Sequence, residues 1–171
     1  MAGQAGRLTV VALAGALLAA AGPAAPDPIG TLAGRYSHHF RNGNVDGGTG
    51  WNDDVLEIAP VGDRRAYFRL ELNFFNGHVC ALSGIARASG ATLVYTDPSV
   101  GWDGQHCRMK LYRRGDVIRM DDNGGTCQAT CGSRGGYASA ALPWSSRRPI
   151  TYLARLKASH RYRAALAEWQ R

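Results

Sequence analysis

The sequence has no apolar run long enough to cross a bilayer as a helix. Its longest, residues 8–21, is about 14 residues against the ~20 that a span requires. No cysteine stands near the small residues Ala19 and Ala21, so nothing points to a lipid anchor. No helical periodicity separates the apolar segments before Pro143, which points to an antiparallel sheet. No internal repeat is present. Basic residues are not interleaved with aromatic ones on any strand-like segment, so nucleic acid is not supported as a partner. Residues 22–146 also lack net charge, because acidic and basic side chains balance there. The excess lies beyond, where seven basic residues face Glu168 alone. Any electrostatic partner is therefore a partner of the tail.

The segments that are present divide the chain into four. Arg7 before the apolar run, and Ala19 and Ala21 after it, read as a signal peptide over 1–21. Residues 22–32 are Pro/Ala-rich and read as a flexible linker, 33–145 as a β domain and 146–171 as a basic helical tail. A leader of this kind implies a periplasmic or secreted product. In that compartment Cys80, Cys107, Cys127 and Cys131 are expected as two disulfides.

The β domain is organised around residues 65–95. Phe68, Leu70, Leu72 and Phe74 alternate with Arg69, Glu71 and Asn73, the period of a strand with one buried face. Asn76-Gly77 supplies a tight reversal, and Ser89-Gly90 a second, giving a three-strand meander. Further strands are expected at 35–40, 55–61, 107–113, 117–120 and 137–142, with a Gly/Asn/Asp loop at 42–54. Seven to eight short strands joined by hairpins predict a small antiparallel up-and-down barrel. Behind it, Pro149, Ser159 and the spacing of Tyr162, Ala165, Leu166 and Trp169 predict an amphipathic helix docked on the barrel. Its basic face is a candidate for weak contact with anionic membrane or envelope polymer.

Parity favours one disulfide pairing. Cys80 shares a face with Leu82, and Cys107 with Met109 and Leu111, so the favoured set is Cys80–Cys107 with Cys127–Cys131. The other two pairings stay open.

Several constellations invite chemistry, and each departs from its pattern. The stretch His106-Cys107-Arg108-Met109 resembles part of the cysteine motif of L,D-transpeptidases. It lacks the Gly between His and Cys and the apolar residue before Arg, and three other cysteines compete to oxidise Cys107. His78 and Cys80 share a strand face, as a dyad or metal pair would. Ser133 follows Gly132, but Cys131 stands where a nucleophile elbow needs Gly. Asn42, Asn44, Asp46 and Asp53 with Gly47 have the spacing of a calcium loop, although Asp53 replaces the bidentate Glu. The sequence therefore assigns no catalytic residue, metal ligand or cofactor.

The residues 74–86, Leu93-Val94-Tyr95, Cys107, the loop Cys127/Cys131-Gly132-Ser133-Arg134-Gly135-Gly136 and Arg148-Pro149-Ile150 carry a wider resemblance. Together they resemble a group of exported bacterial proteins of unassigned activity placed near the periplasmic lysozyme inhibitors. The resemblance implies a small envelope barrel with two disulfides and raises inhibition of a lysozyme-like cell-wall hydrolase as a function. With no catalytic residue assigned, the chain is expected to act as a non-catalytic binding module. A small-ligand-binding barrel, a structural envelope protein and, more remotely, a cysteine-dependent cell-wall enzyme are the alternatives. A stapled scaffold suits an inhibitor because preorganisation lowers the cost of binding. The expected surface is the loop 124–137, through Ser133, Arg134 and Tyr137, with His78 beside the neighbouring turn. The basic tail is the second surface.

Overall fold

The computed structural model describes residues 27–102 and 104–170. The leader expected over 1–21, and the linker as far as 26, lie outside the described residues. Eight strands follow in chain order: β1 Gly34–Gly43, β2 Thr49–Pro60, β3 Arg65–Asn73, β4 Val79–Ser89, β5 Thr92–Val100, β6 His106–Arg114, β7 Val117–Asp121 and β8 Ala141–Pro143. They form one antiparallel sheet whose spatial order is the sequence order. The turn chemistry accounts for the hairpins. Asn76 and Gly77 take φ of 61° and 70°, the left-handed conformations a tight reversal needs.

The two edges of the sheet come together. Arg35 and Arg148 exchange backbone N–H···O bonds of 2.8 Å in both directions, and the Ser37 N–H donates to Ser146 Oγ at 3.1 Å. The result is a nearly closed eight-stranded barrel of the up-and-down kind expected, with a C-terminal helix outside it. Its inside is a packed core. Phe68, Leu70 and Leu72 point inward with Tyr36, Leu93, Tyr95, Met109 and Leu111, each under 5% exposed. Side chains fill the interior of an eight-stranded barrel in this way when no ligand space is kept.

The ladder between β4 and β5 covers only Arg87↔Val94, Ala88↔Leu93 and Ser89↔Thr92. Beyond it the Tyr95 ring lies directly on the β4 backbone at Gly84, where a Cβ would meet the ring at 2.3 Å. Gly84→Ala therefore overpacks the wall and is expected to cost about 1–3 kcal/mol, read as a lower midpoint in urea unfolding. An unchanged midpoint would show that the ring has room to withdraw.

The tail covers the outer face of β2–β4. Helices α2 (Leu153–Lys157) and α3 (His160–Trp169) bury Leu156, Tyr162 and Ala165 against Ala59, Tyr67 and Ile85. Ser159 caps α3 as expected, its Oγ accepting the Tyr162 N–H at 3.2 Å. Tyr67 and Tyr162 meet with ring centroids 4.8 Å apart, and Trp169 lies under the Arg87 guanidinium at 4.2 Å. Because this wall is buried on both faces, Tyr67 is as enclosed as Phe68 although it has the outward parity.

Three boundaries differ from the sequence expectation. Residues 28–32, expected within a flexible linker, form the short helix α1 (Pro28–Leu32). Asp27 caps it, accepting the Ile29 and Gly30 N–H groups, and Ile29 and Leu32 are buried in the core. The loop expected over 42–54 is mostly strand, since β1 and β2 pair as far as Gly43↔Thr49. That hairpin runs past the β3 ladder, which ends at Val55↔Glu71, so both its faces are wet and no alternation marks it. The last strand is Ala141–Pro143, and 137–140 belong to the preceding loop.

Candidate functional site

An up-and-down barrel sorts its connections between two ends. At one end the β2–β3, β4–β5 and β6–β7 reversals are short. At the other lie the long β1–β2 hairpin, the 74–78 turn, the 101–105 loop and the 122–140 connection between β7 and β8. Both disulfides are at this second end, Cys80–Cys131 and Cys107–Cys127. They overturn the favoured pairing of Cys80 with Cys107 and Cys127 with Cys131. Cys80 and Cys107 do both face inward, but β5 stands between β4 and β6. Two strand spacings are about 10 Å, beyond the ~7 Å Cα separation that a disulfide tolerates. The β7–β8 loop instead crosses from β6 to β4 and is clasped at each side.

Glycine allows the loop to lie flat on β4. A Cβ at Gly132 would stand 2.7 Å from His78 Nδ1, and one at Gly135 would stand 2.7 Å from Cys80 Sγ. The Gly132 N–H donates to Val79 O at 2.9 Å, and Gln128 Nε2 donates to Gly135 O at 2.9 Å. Of the four residues expected to bind, Ser133 and Arg134 are exposed on this loop and His78 is half-buried beneath it. The structure thus brings these three together. Tyr137 does not join them and is corrected to a core residue. It is 1% exposed, and its hydroxyl is hydrogen-bonded to Thr130 Oγ1 at 2.8 Å. Burial pushes its phenol up to about 12, with Asp122 adding to the rise and the Thr130 bond opposing it. Having lost its place in a strand, the ring fills the space under the loop.

The same end carries apolar groups that sequence reasoning did not single out. Among the described residues the exposed large hydrophobic side chains are Trp102 (85%), Val45 (69%), Trp51 (64%), Val100 (56%) and Phe75 (43%). All five belong to the long connections or the strand ends that feed them. Phe75 packs against Gly43 and under the Arg134 guanidinium, 5.8 Å from its ring centroid. The Val45 N–H donates to Asn76 Oδ1 at 3.4 Å, joining the hairpin tip to the turn. On the hairpin, Trp51 stacks on His39 at 4.6 Å, and His39 Nδ1 pairs with Asp53 at 2.9 Å. The available signal was aromatic residues placed among turn formers, where no alternation exists to bury them.

The other constellations come apart in space. Cys107 is disulfide-bonded, and there is no free cysteine among the described residues. Cys80 is likewise held, so it forms no dyad with His78. The calcium-like oxygens do not converge: Asn42 donates to Phe74 O, Asp46 Oδ1 accepts the Gly48 N–H, and Asp53 turns to His39. The described residues contain no cluster of three or more His, Cys, Asp or Glu side chains able to hold a metal.

The fold defines a disulfide-bonded β-barrel, and bonds of this kind are typical of proteins outside the cytosol. No family model matches the chain, and neither does any curated protein or solved structure.

Proposed function

We propose that this chain is an exported envelope protein, periplasmic or secreted, that works as a binding module through the long-loop end of its barrel. The observation that carries the reading is that, among the described residues, the five exposed large apolar side chains all fall at the end where both disulfides lie. Water-exposed aromatic and aliphatic groups set around a clasped loop form a recognition surface at low ordering cost. Arg134 over Phe75 supplies the aromatic-and-arginine combination that dominates interface energetics. The packed interior favours a partner met at the surface over a small ligand in the lumen, and the disulfide-bonded Cys107 offers no thiolate for transfer chemistry.

The partner class is a cell-wall hydrolase of the lysozyme type, in keeping with the resemblance of the 74–86 and 127–136 segments to the exported group described above. The test is a turbidity assay of lysozyme on bacterial cells with the purified protein in stoichiometric and higher amounts. Slowed clearing is expected. The double variant Phe75→Ala/Arg134→Ala should need about thirtyfold more protein for the same effect, the loss of one ~2 kcal/mol hot spot. Clearing at the uninhibited rate in micromolar excess would sink the hydrolase reading.

A further inference from the structure

A second site lies on the barrel wall, remote from the long-loop end and independent of it. The strand register places Arg35, Glu57 and Arg69 side by side across β1, β2 and β3. Glu57 is fully buried. Oε1 accepts the Tyr152 hydroxyl, while Oε2 forms an ion pair with Arg69 Nε at 2.8 Å and accepts no hydrogen bond. Above this carboxylate opens a cleft of about 530 Å³ lined by Arg35, Arg69, Tyr152, Arg155, Leu156 and Ser159. Three guanidiniums thus line one cleft whose own lining contains no carboxylate. The single negative charge beneath them is already committed, which leaves a surplus of two positive charges.

The geometry of the three arginines differs in a useful way. Arg69 uses Nε for Glu57, which leaves the terminal amines of its fork for the cleft. Arg35 lies close enough to the Tyr152 hydroxyl to lower its pKa against the larger effects of burial and Glu57. Arg155 stacks over the Tyr152 ring at 5.1 Å, which fixes its direction without neutralising it. Ser159 Oγ accepts from Tyr162, so its own proton is free to donate. Leu156 gives the cleft an apolar floor.

We infer that this cleft is a binding site for a phosphoryl group, a doubly charged oxyanion held by Arg35, Arg69 and Arg155. Planar guanidinium forks match phosphate oxygens in charge and in donor geometry, and two negative charges balance the surplus. A soluble phosphate ester and a phosphomonoester lipid headgroup both present this group.

The test uses the full-length folded protein and inorganic phosphate, followed by NMR of the arginine side-chain N–H signals with sodium chloride as the ionic-strength control. Saturable shifts with phosphate, absent with chloride, are expected. Arg155→Gln, at an exposed position that tolerates the change, should weaken binding by about fivefold or more. Arg163→Gln removes the same charge from α3 outside the cleft and should leave binding unchanged. Sedimentation with phosphatidylcholine vesicles, with and without phosphatidic acid, separates the two sources. Pelleting only with phosphatidic acid, displaced by free phosphate and lost in Arg155→Gln, assigns the headgroup. Phosphate binding without pelleting assigns a soluble ester. Absence of saturation, shifts reproduced by chloride, or equal loss in both variants would overturn the site.

Discussion

Replacing Cys80 and Cys131 together by serine is expected to remove about 4 kcal/mol of folding free energy. The bond closes a segment of 51 residues, and cross-linking a loop of that length restricts the unfolded chain by roughly this amount. The Cys107/Cys127 pair closes 20 residues and should contribute about 3 kcal/mol on the same basis. Urea unfolding of the two double-serine variants gives the ranking. Hydrogen exchange gives the location, because amides of 122–137 should lose protection well before those of β2 and β3. Peptide mapping without reduction supplies an independent check. A fragment joining Cys80 to Cys107 would contradict the arrangement from which these numbers follow.

The second large effect belongs to Arg69. Its substitution by methionine leaves the Glu57 carboxylate, 0% exposed, without the guanidinium that pairs with Oε2. Breaking such a pair from one side costs about 3–5 kcal/mol, and the lower figure applies because the arginine side chain is 34% exposed and water can reach the vacated space. Glu57→Gln/Arg69→Met should recover most of the loss, since no charge is then stranded. The four stabilities form a double-mutant cycle. A double variant as unstable as Arg69→Met would assign the effect to lost packing of the arginine stem.

Much of this architecture is legible in the sequence because its physics is local. Phe68, Leu70 and Leu72 announce a strand by parity, Asn76-Gly77 announces a reversal by backbone conformation, and Ser159 announces a helix start by its hydroxyl. The misreadings occur where the outcome depends on distant chain. Tyr67 is buried because α3 arrives from about a hundred residues away. Ile29 and Leu32 are buried because they fill the core beside β2, and nothing within 22–32 signals it. The Cys80 partner depends on β5 lying between β4 and β6, a fact about the whole sheet. At the candidate surface, Ser133 and Arg134 were recognisable from a polar glycine-rich loop. Tyr137 looked equivalent to them because a loop carries no periodicity that separates an inward ring from an outward one. The exposure of Phe75, Trp51 and Trp102 carries no sequence signal for the same reason.

The nesting of the two disulfides, one inside the other along the chain, has a consequence for biogenesis. A polypeptide delivered amino end first exposes Cys80 and then Cys107 before either correct partner has emerged. An oxidant acting on the growing chain therefore meets the wrong couple first. Maturation then needs either a delay in oxidation until residue 131 is available or a thiol-exchange catalyst to reshuffle the early bond, a process of seconds to hours. Yield on secretion from a host without such a catalyst is expected to fall accordingly.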